Sequence, residues 1–351
     1  MTEFAVVQNG AVVTVGPFRP HPERVALVEA RGALLYWDQL ERRAHPAAEI
    51  YDSDQAAAWL WEIFGPDAAG AILAGADTIS TEWTSPVLDA ARRLAHLCWA
   101  EAWWPSSHAA AVPALSQGVL RAEAAASTAA VEHLLDDEDA MTRVLEEVDF
   151  GALAALETHP LLGGEALALK AMLLDLAEDA GVEPSEEPAP IEPGGWTLAA
   201  GGSHAQDLVV ASGTAPVSWD LVPQGLVDAA ADASWTFAQR ADLSILTVSV
   251  PAAPAAYEAA LTARIATAEI GLHRDENTGM FTGEVEAPQG FLMLPAAARA
   301  VHVFAPAFAT ATAVPDPVAE TWRSAIVEFA RERLTAPDAG LAERAAALDT
   351  P

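Results

Sequence analysis

Residues 181–195, GVEPSEEPAPIEPGG, place four prolines and three glycines among glutamates, with no apolar periodicity. Proline removes a backbone donor and fixes φ, so such a run extends neither a helix nor a sheet. It reads as a solvated, semi-rigid linker. The patterns on its two sides differ in period, so each side must bury its own core. A chain of 351 residues is long enough for two.

Before the linker, Phe4 to Val7 and Ala11 to Val15 are β-prone runs joined through Asn9-Gly10, a hairpin signal. Val25 to Glu29 adds a third strand, Arg31-Gly32 turns the chain, and Leu34 to Arg43 reads as a first helix. Asp54 caps a helix containing Trp59, Leu60 and Phe64, closed by Gly65-Pro66. Ser85-Pro86 opens the next, with Val87, Ala91, Leu94, Cys98 and Trp99 on one face and Pro105 as its stop. Further helices cover Ala114 to Leu135, Ala140 to Glu157 with a break near Asp149, and Gly164 to Ala180. In the last, Leu167, Leu169, Leu173, Leu174 and Leu176 lie over a polar face.

After the linker, short runs alternate between turn residues, the spacing of a β-sandwich. They are Trp196 to Ala199, Asp207 to Ala211, Val217 to Val222, Trp235 to Ala238, Leu243 to Val250, Tyr257 to Ala268, Gly279 to Glu286, Gly290 to Leu294 and Ala300 to Phe304. HRDENTG, 273–279, forms one hairpin loop. Pro315 to Pro317 starts a final helix striped with Val318, Trp322, Ile326 and Phe329. The expected architecture is a two-domain α+β chain. A β-hairpin and helical bundle occupy 1–180, an acidic linker 181–195, and an antiparallel β-sandwich with a C-terminal helix 196–335. The tail is 336–351.

Composition removes several function classes. Fifty acids against 18 bases give a formal net charge of −32, and Lys170 is the one lysine. Nucleic-acid phosphates and anionic membrane surfaces are repelled, whereas a basic protein or peptide is an allowed partner. Cys98 is the one cysteine, so neither an intrachain disulfide nor a thiolate metal site can form. No basic n-region or bilayer-length apolar run is present, and the expected location is the cytoplasm.

CWAEAWWPSSH, 98–108, is the densest candidate site. Trp99 and Trp103 share a helix face, and Trp104 points about 100° away, at the helix end. Trp103, Trp104 and His108 are the candidate binding residues, because tryptophan concentrates at interface hot spots. Ser106, Ser107 and His108 suggest a nucleophile and base, but hydrolase serines usually find their histidine far along the chain, and no G-x-S-x-G elbow occurs. Asp136 to Asp139 read as a capped, solvated turn, with His133 and Asp137 spaced to pair. DENTGMFTGEVE, from Asp275, has Met280 where a calcium loop needs glycine. GGSHAQD, 201–207, precedes a strand, the reverse of a phosphate cradle. No P-loop, G-x-G-x-x-G or H-E-x-x-H pattern occurs, and no catalytic residue, cofactor or metal ligand is assigned.

Two segments, WWPSSHAAAVPAL (103–115) and VPQGLVDAAADASWTF (222–237), resemble segments of uncharacterised proteins from high-GC bacteria. The resemblance implies no activity. The functional expectation is a non-enzymatic accessory or adaptor subunit that binds another protein or peptide, with strand addition at the edge of the N-terminal hairpin as one mode. The alternative is a hydrolase with dispersed Ser, His and acidic residues.

Overall fold

The computed structural model describes residues 2–17, 21–137, 139–183, 208–240, 243–275, 277–309 and 318–348. The chain forms two compact units, each discontinuous in sequence. The first comprises 1–103, 115–191 and 333–351; the second comprises 104–114 and 192–332. Segments 104–114 and 333–351 therefore lie on opposite sides of the division from where a single cut at the linker would place them.

The first unit holds a six-stranded antiparallel sheet in the order β3-β4-β5-β2-β1-β6. Its strands are β1 (Thr2–Asn9), β2 (Val12–Val15), β3 (Val25–Ala30), β4 (Ala33–Asp38), β5 (Ala47–Ile50) and β6 (Thr78–Thr81). The β1–β2 turn is Gly10-Ala11, where only Gly10 takes positive φ (65°). Asn9 is therefore the last strand residue, not a turn residue. β6 pairs along β1 and β5 along β2, so the hairpin lies inside the sheet. Strand addition at its edge is thereby corrected over Thr2–Ala5, held by β6, and Val13–Val15, held by β5.

The helix expected over Leu34 to Arg43 is instead β4. Its ALLYWD sequence is buried on both faces, and so short a run carries neither period. Gly32, at φ 76°, makes the turn from β3; a Cβ there would sit 2.4 Å from the Asp52 carbonyl oxygen. The single helix expected from Asp54 is broken into α1 (Ser53–Ala56) and α2 (Leu60–Phe64), followed by α3 (Pro66–Leu73). Asp52, rather than Asp54, is the cap, accepting from Asp54 N and Gln55 N at 3.1 Å each.

α4 (Pro86–Trp103) packs on β3 and β4 and buries Leu88, Ala91, Ala95 and Trp99 among others, whereas Cys98 is exposed. Of the expected stripe, Ala91, Leu94 and Trp99 are buried, whereas Val87 is only partly covered and Cys98 is not. α5 (Gln117–Val131) lies against α4, α6 (Ala140–Glu146), α7 (Phe150–Leu156) and α8 (Gly163–Ala180). The expected break near Asp149 is real: its carboxylate caps α7 through Gly151 N and Ala152 N. His133 and Asp137 do not pair; His133 reaches Glu62 at 3.0 Å and Asp137 reaches Arg143 at 2.6 Å.

The second unit holds one seven-stranded antiparallel sheet, β13-β10-β11-β12-β9-β8-β7. Its strands are β7 (Leu208–Pro216), β8 (Asp232–Arg240), β9 (Leu243–Pro251), β10 (Leu261–Ile265), β11 (Ala268–Asp275), β12 (Met280–Glu286) and β13 (Val301–Phe304). The sheet curls until β13, at one edge, comes near β8 and β7 at the other. The two walls of this curl enclose an apolar core, with Phe291 edge-on to Trp235 at 5.2 Å and stacked on Phe237 at 5.9 Å. Three sequence expectations change. Val217 to Val222 is a buried loop, and Gly290 to Leu294 is a 3-10 turn. Tyr257 to Ala268 splits at a tight turn with Ala266 at φ 54°. The 273–279 hairpin loop falls between β11 and β12 as expected, whereas Trp196 to Ala199 lies outside the described residues.

α9 (Ala319–Arg333) buries Ile326, Val327, Phe329 and Ala330 and leaves Val318, just before it, exposed. α10 (Leu341–Leu348), in the first unit, is held by two buried carboxylates. Glu123 accepts from Leu341 N at 2.8 Å and Ala342 N at 3.0 Å, at the positive end of the helix, and pairs with Arg93. A Cβ on Gly340 would meet both Glu123 oxygens at 3.0 Å. Gly340→Ala is expected to loosen this cap at a cost of about 1 kcal/mol, seen as faster amide exchange in α10.

Candidate functional site

The tryptophan-rich stretch ends in a knot built on one carboxylate of the second unit. Asp228 is 2% exposed and accepts five hydrogen bonds. Its Oδ1 takes Ser107 Oγ at 2.6 Å, Ala230 N at 3.0 Å and Ala231 N at 3.1 Å. Its Oδ2 takes His108 N at 2.8 Å and Ala109 N at 3.1 Å. Ser107 Oγ also accepts from Ala110 N at 2.9 Å, and Ser107 is 1% exposed. Such a hydroxyl gives its proton to the carboxylate and faces no solvent-accessible space, so its geometry is that of a tie rather than an attacking group.

Arg323 of α9 closes the other side of the knot. It donates to the carbonyls of Ala229 and of Ala231 (2.8 Å) and lies over the Trp219 ring at 6.0 Å. Within 104–114, Trp104 is buried and donates from Nε1 to the Pro113 carbonyl at 2.8 Å. His108 is exposed, and its backbone N–H is what Asp228 holds. Trp103, at the end of α4, is half-buried. Trp103, Trp104 and His108 thus fall in three different environments. The segments 103–115 and 222–237, separate in sequence, meet through Ser107 and Asp228.

In the first unit, a shallow cleft of about 340 Å³, open mouth included, is lined by Phe4, Tyr36, Trp37, Asp38, Arg43 and His45, among others. Its charges are matched in pairs, Arg24 with Asp38 at 2.5 Å and Arg43 with Glu41 at 2.9 Å. Burial pulls the His45 pKa down, so the ring is held neutral, with Nε2 3.5 Å from Thr81 Oγ1. Burial and the Glu49 charge push Tyr36 up to about 12, so it stays a protonated phenol. These groups can donate and accept hydrogen bonds.

The surface feature with the clearest chemistry is α8. Its inner line, Ala166, Leu173 and Ala177, is buried. Leu167 (50% exposed), Met172 (42%) and Leu174 (38%) stay in solvent, as does Leu161 (73%) just before the helix. The sequence signal was present: the helix's leucines spread over about half its circumference, wider than one contact face. Asp228 and Arg323 gave no comparable signal, since their partners are distant in sequence.

Among the described residues, no group of three His, Cys, Asp or Glu is placed to hold a metal ion, and no helix is long and apolar enough to cross a membrane. Comparison with protein family models, curated proteins and solved structures finds no match to this chain.

Proposed function

We propose that this chain is a non-catalytic accessory or adaptor subunit that binds another protein in the cytoplasm, and that the outer face of α8 presents the contact. The exposure of Leu167, Met172 and Leu174 on one regular helix carries the reading. Apolar side chains grouped on a rigid element, rimmed by charge, commonly mark a protein-binding surface. The rival hydrolase reading would recruit Ser107, and the buried, doubly bonded hydroxyl weighs against it.

The test is recovery of the tagged chain from its native host under mild, low-salt conditions, beside a Leu167→Asp/Leu174→Asp variant. Wild type is expected to bring down a partner that the variant loses, with both forms melting alike. Recovery of wild type alone would count against an adaptor, and a partner retained equally by both would move the contact off α8.

A further inference from the structure

Three local features of α8 narrow the chemistry of what it binds. First, the centre of the exposed face is made of small residues, Gly164, Ala168 and Ala171, with Leu167 and Leu174 on one shoulder and Met172 on the other. Small residues between larger ones let another helix approach closely, its side chains filling the gap. Second, Asp175, Glu178 and Asp179 crowd the C-terminal end, and the last turn has no basic residue. Carboxylates there face the negative end of the helix dipole, an arrangement unfavourable to the isolated helix. Third, the helix's other charges are already matched. Glu165 pairs with Arg344, and Lys170 with Glu157 at 2.7 Å. Among the described residues, Asp175, Glu178 and Asp179 form no ion pair.

We propose that the occupant of this face is an amphipathic helix of a partner protein, its apolar stripe over Ala168 and Ala171 and its lysines or arginines over Asp175, Glu178 and Asp179. The inference rests on α8 being the contact and adds the partner's chemistry. Local conflict of charge with dipole is relieved when the partner supplies the cations. The net charge of −32 disfavours an acidic partner on the same face.

The probe is a fluorescent Leu/Lys amphipathic peptide matching the 18 residues of α8, titrated into the full chain by anisotropy. A Leu/Gln peptide of the same pattern is the neutral control. The triple variant Asp175→Asn/Glu178→Gln/Asp179→Asn is expected to bind Leu/Lys about tenfold more weakly, the scale of three partly screened charge contacts. A charge-matched triple on the sheet, Asp232→Asn/Glu284→Gln/Glu286→Gln, is expected to bind as wild type. Equal weakening by both triples would overturn the proposal, because net charge alone would then account for binding. Equal affinity for Leu/Lys and Leu/Gln, lost in Leu167→Asp/Leu174→Asp, would overturn the basic partner while leaving α8 as the contact. Binding of neither peptide, or binding indifferent to the leucine variant, would overturn both.

Discussion

Asp228→Ala is expected to destabilise the second unit by about 3–5 kcal/mol, because it strands several donors at once, each costing about 1–3 kcal/mol where water does not replace the lost acceptor. The substitution leaves the buried Ser107 Oγ and four part-buried backbone N–H groups without their acceptor. The urea midpoint read from tryptophan emission should fall with little change in slope. Asp228→Asn should lose less, since one amide oxygen can keep part of the set. The Ser107→Ala/Asp228→Asn cycle should then show coupling of about 1 kcal/mol or more, because the two groups touch at 2.6 Å. A drop below about 1 kcal/mol in Asp228→Ala would mean that 104–114 is held by its apolar contacts instead, Trp104 foremost.

The same knot shows what pattern reading can and cannot reach. Ser107 and His108 drew attention as neighbours, yet the partner that fixes their role lies 121 positions from Ser107. No local period links an aspartate in an alanine-rich loop to a serine after a proline. Local signals fared well where the physics is local. Asp149 breaks a helix by capping the next, and Gly181 ends α8 in a left-handed conformation at φ 68°. They failed where a short apolar run is buried on both faces, as in β4, because helix and strand then look alike. The curl of the second sheet was out of reach for a related reason. Alternation shows that a strand has an inner and an outer face, but not whether the opposing wall belongs to another sheet or to the same one bent round. α8 lies between these cases. Its surplus leucines were legible, and which of them stay in solvent depended on where α5, α6 and α7 pack.

Acid should release α10 through Glu343. Burial opposes ionisation of this carboxylate, but hydrogen bonds from His96 at 2.9 Å and from Arg333 outweigh it and bring its pKa down from 4.5 to about 2. A folded-state pKa below the unfolded value gives stability that is fully present above about 4.5 and is lost as pH falls through about 2. The difference corresponds to about 3 kcal/mol, at 1.36 kcal/mol for each unit. Wild type should therefore lose about that much between pH 5 and 2 through this one group, beside whatever its other carboxylates contribute. Glu343→Gln should lose a similar amount already at pH 7, because it leaves Arg333 without its bidentate partner and Gly340 N without an ionised acceptor. From there its acid slope should be the shallower of the two. Amide exchange of Leu341–Leu348 reads the effect locally, apart from global unfolding of a two-unit chain. Because the pair is buried, 0.5 M salt should change little, unlike the surface pair Arg331–Glu328. Parallel acid slopes in the two proteins would place the acid sensitivity elsewhere and leave Glu123, at the helix N-terminus, as the carboxylate that holds α10 in place.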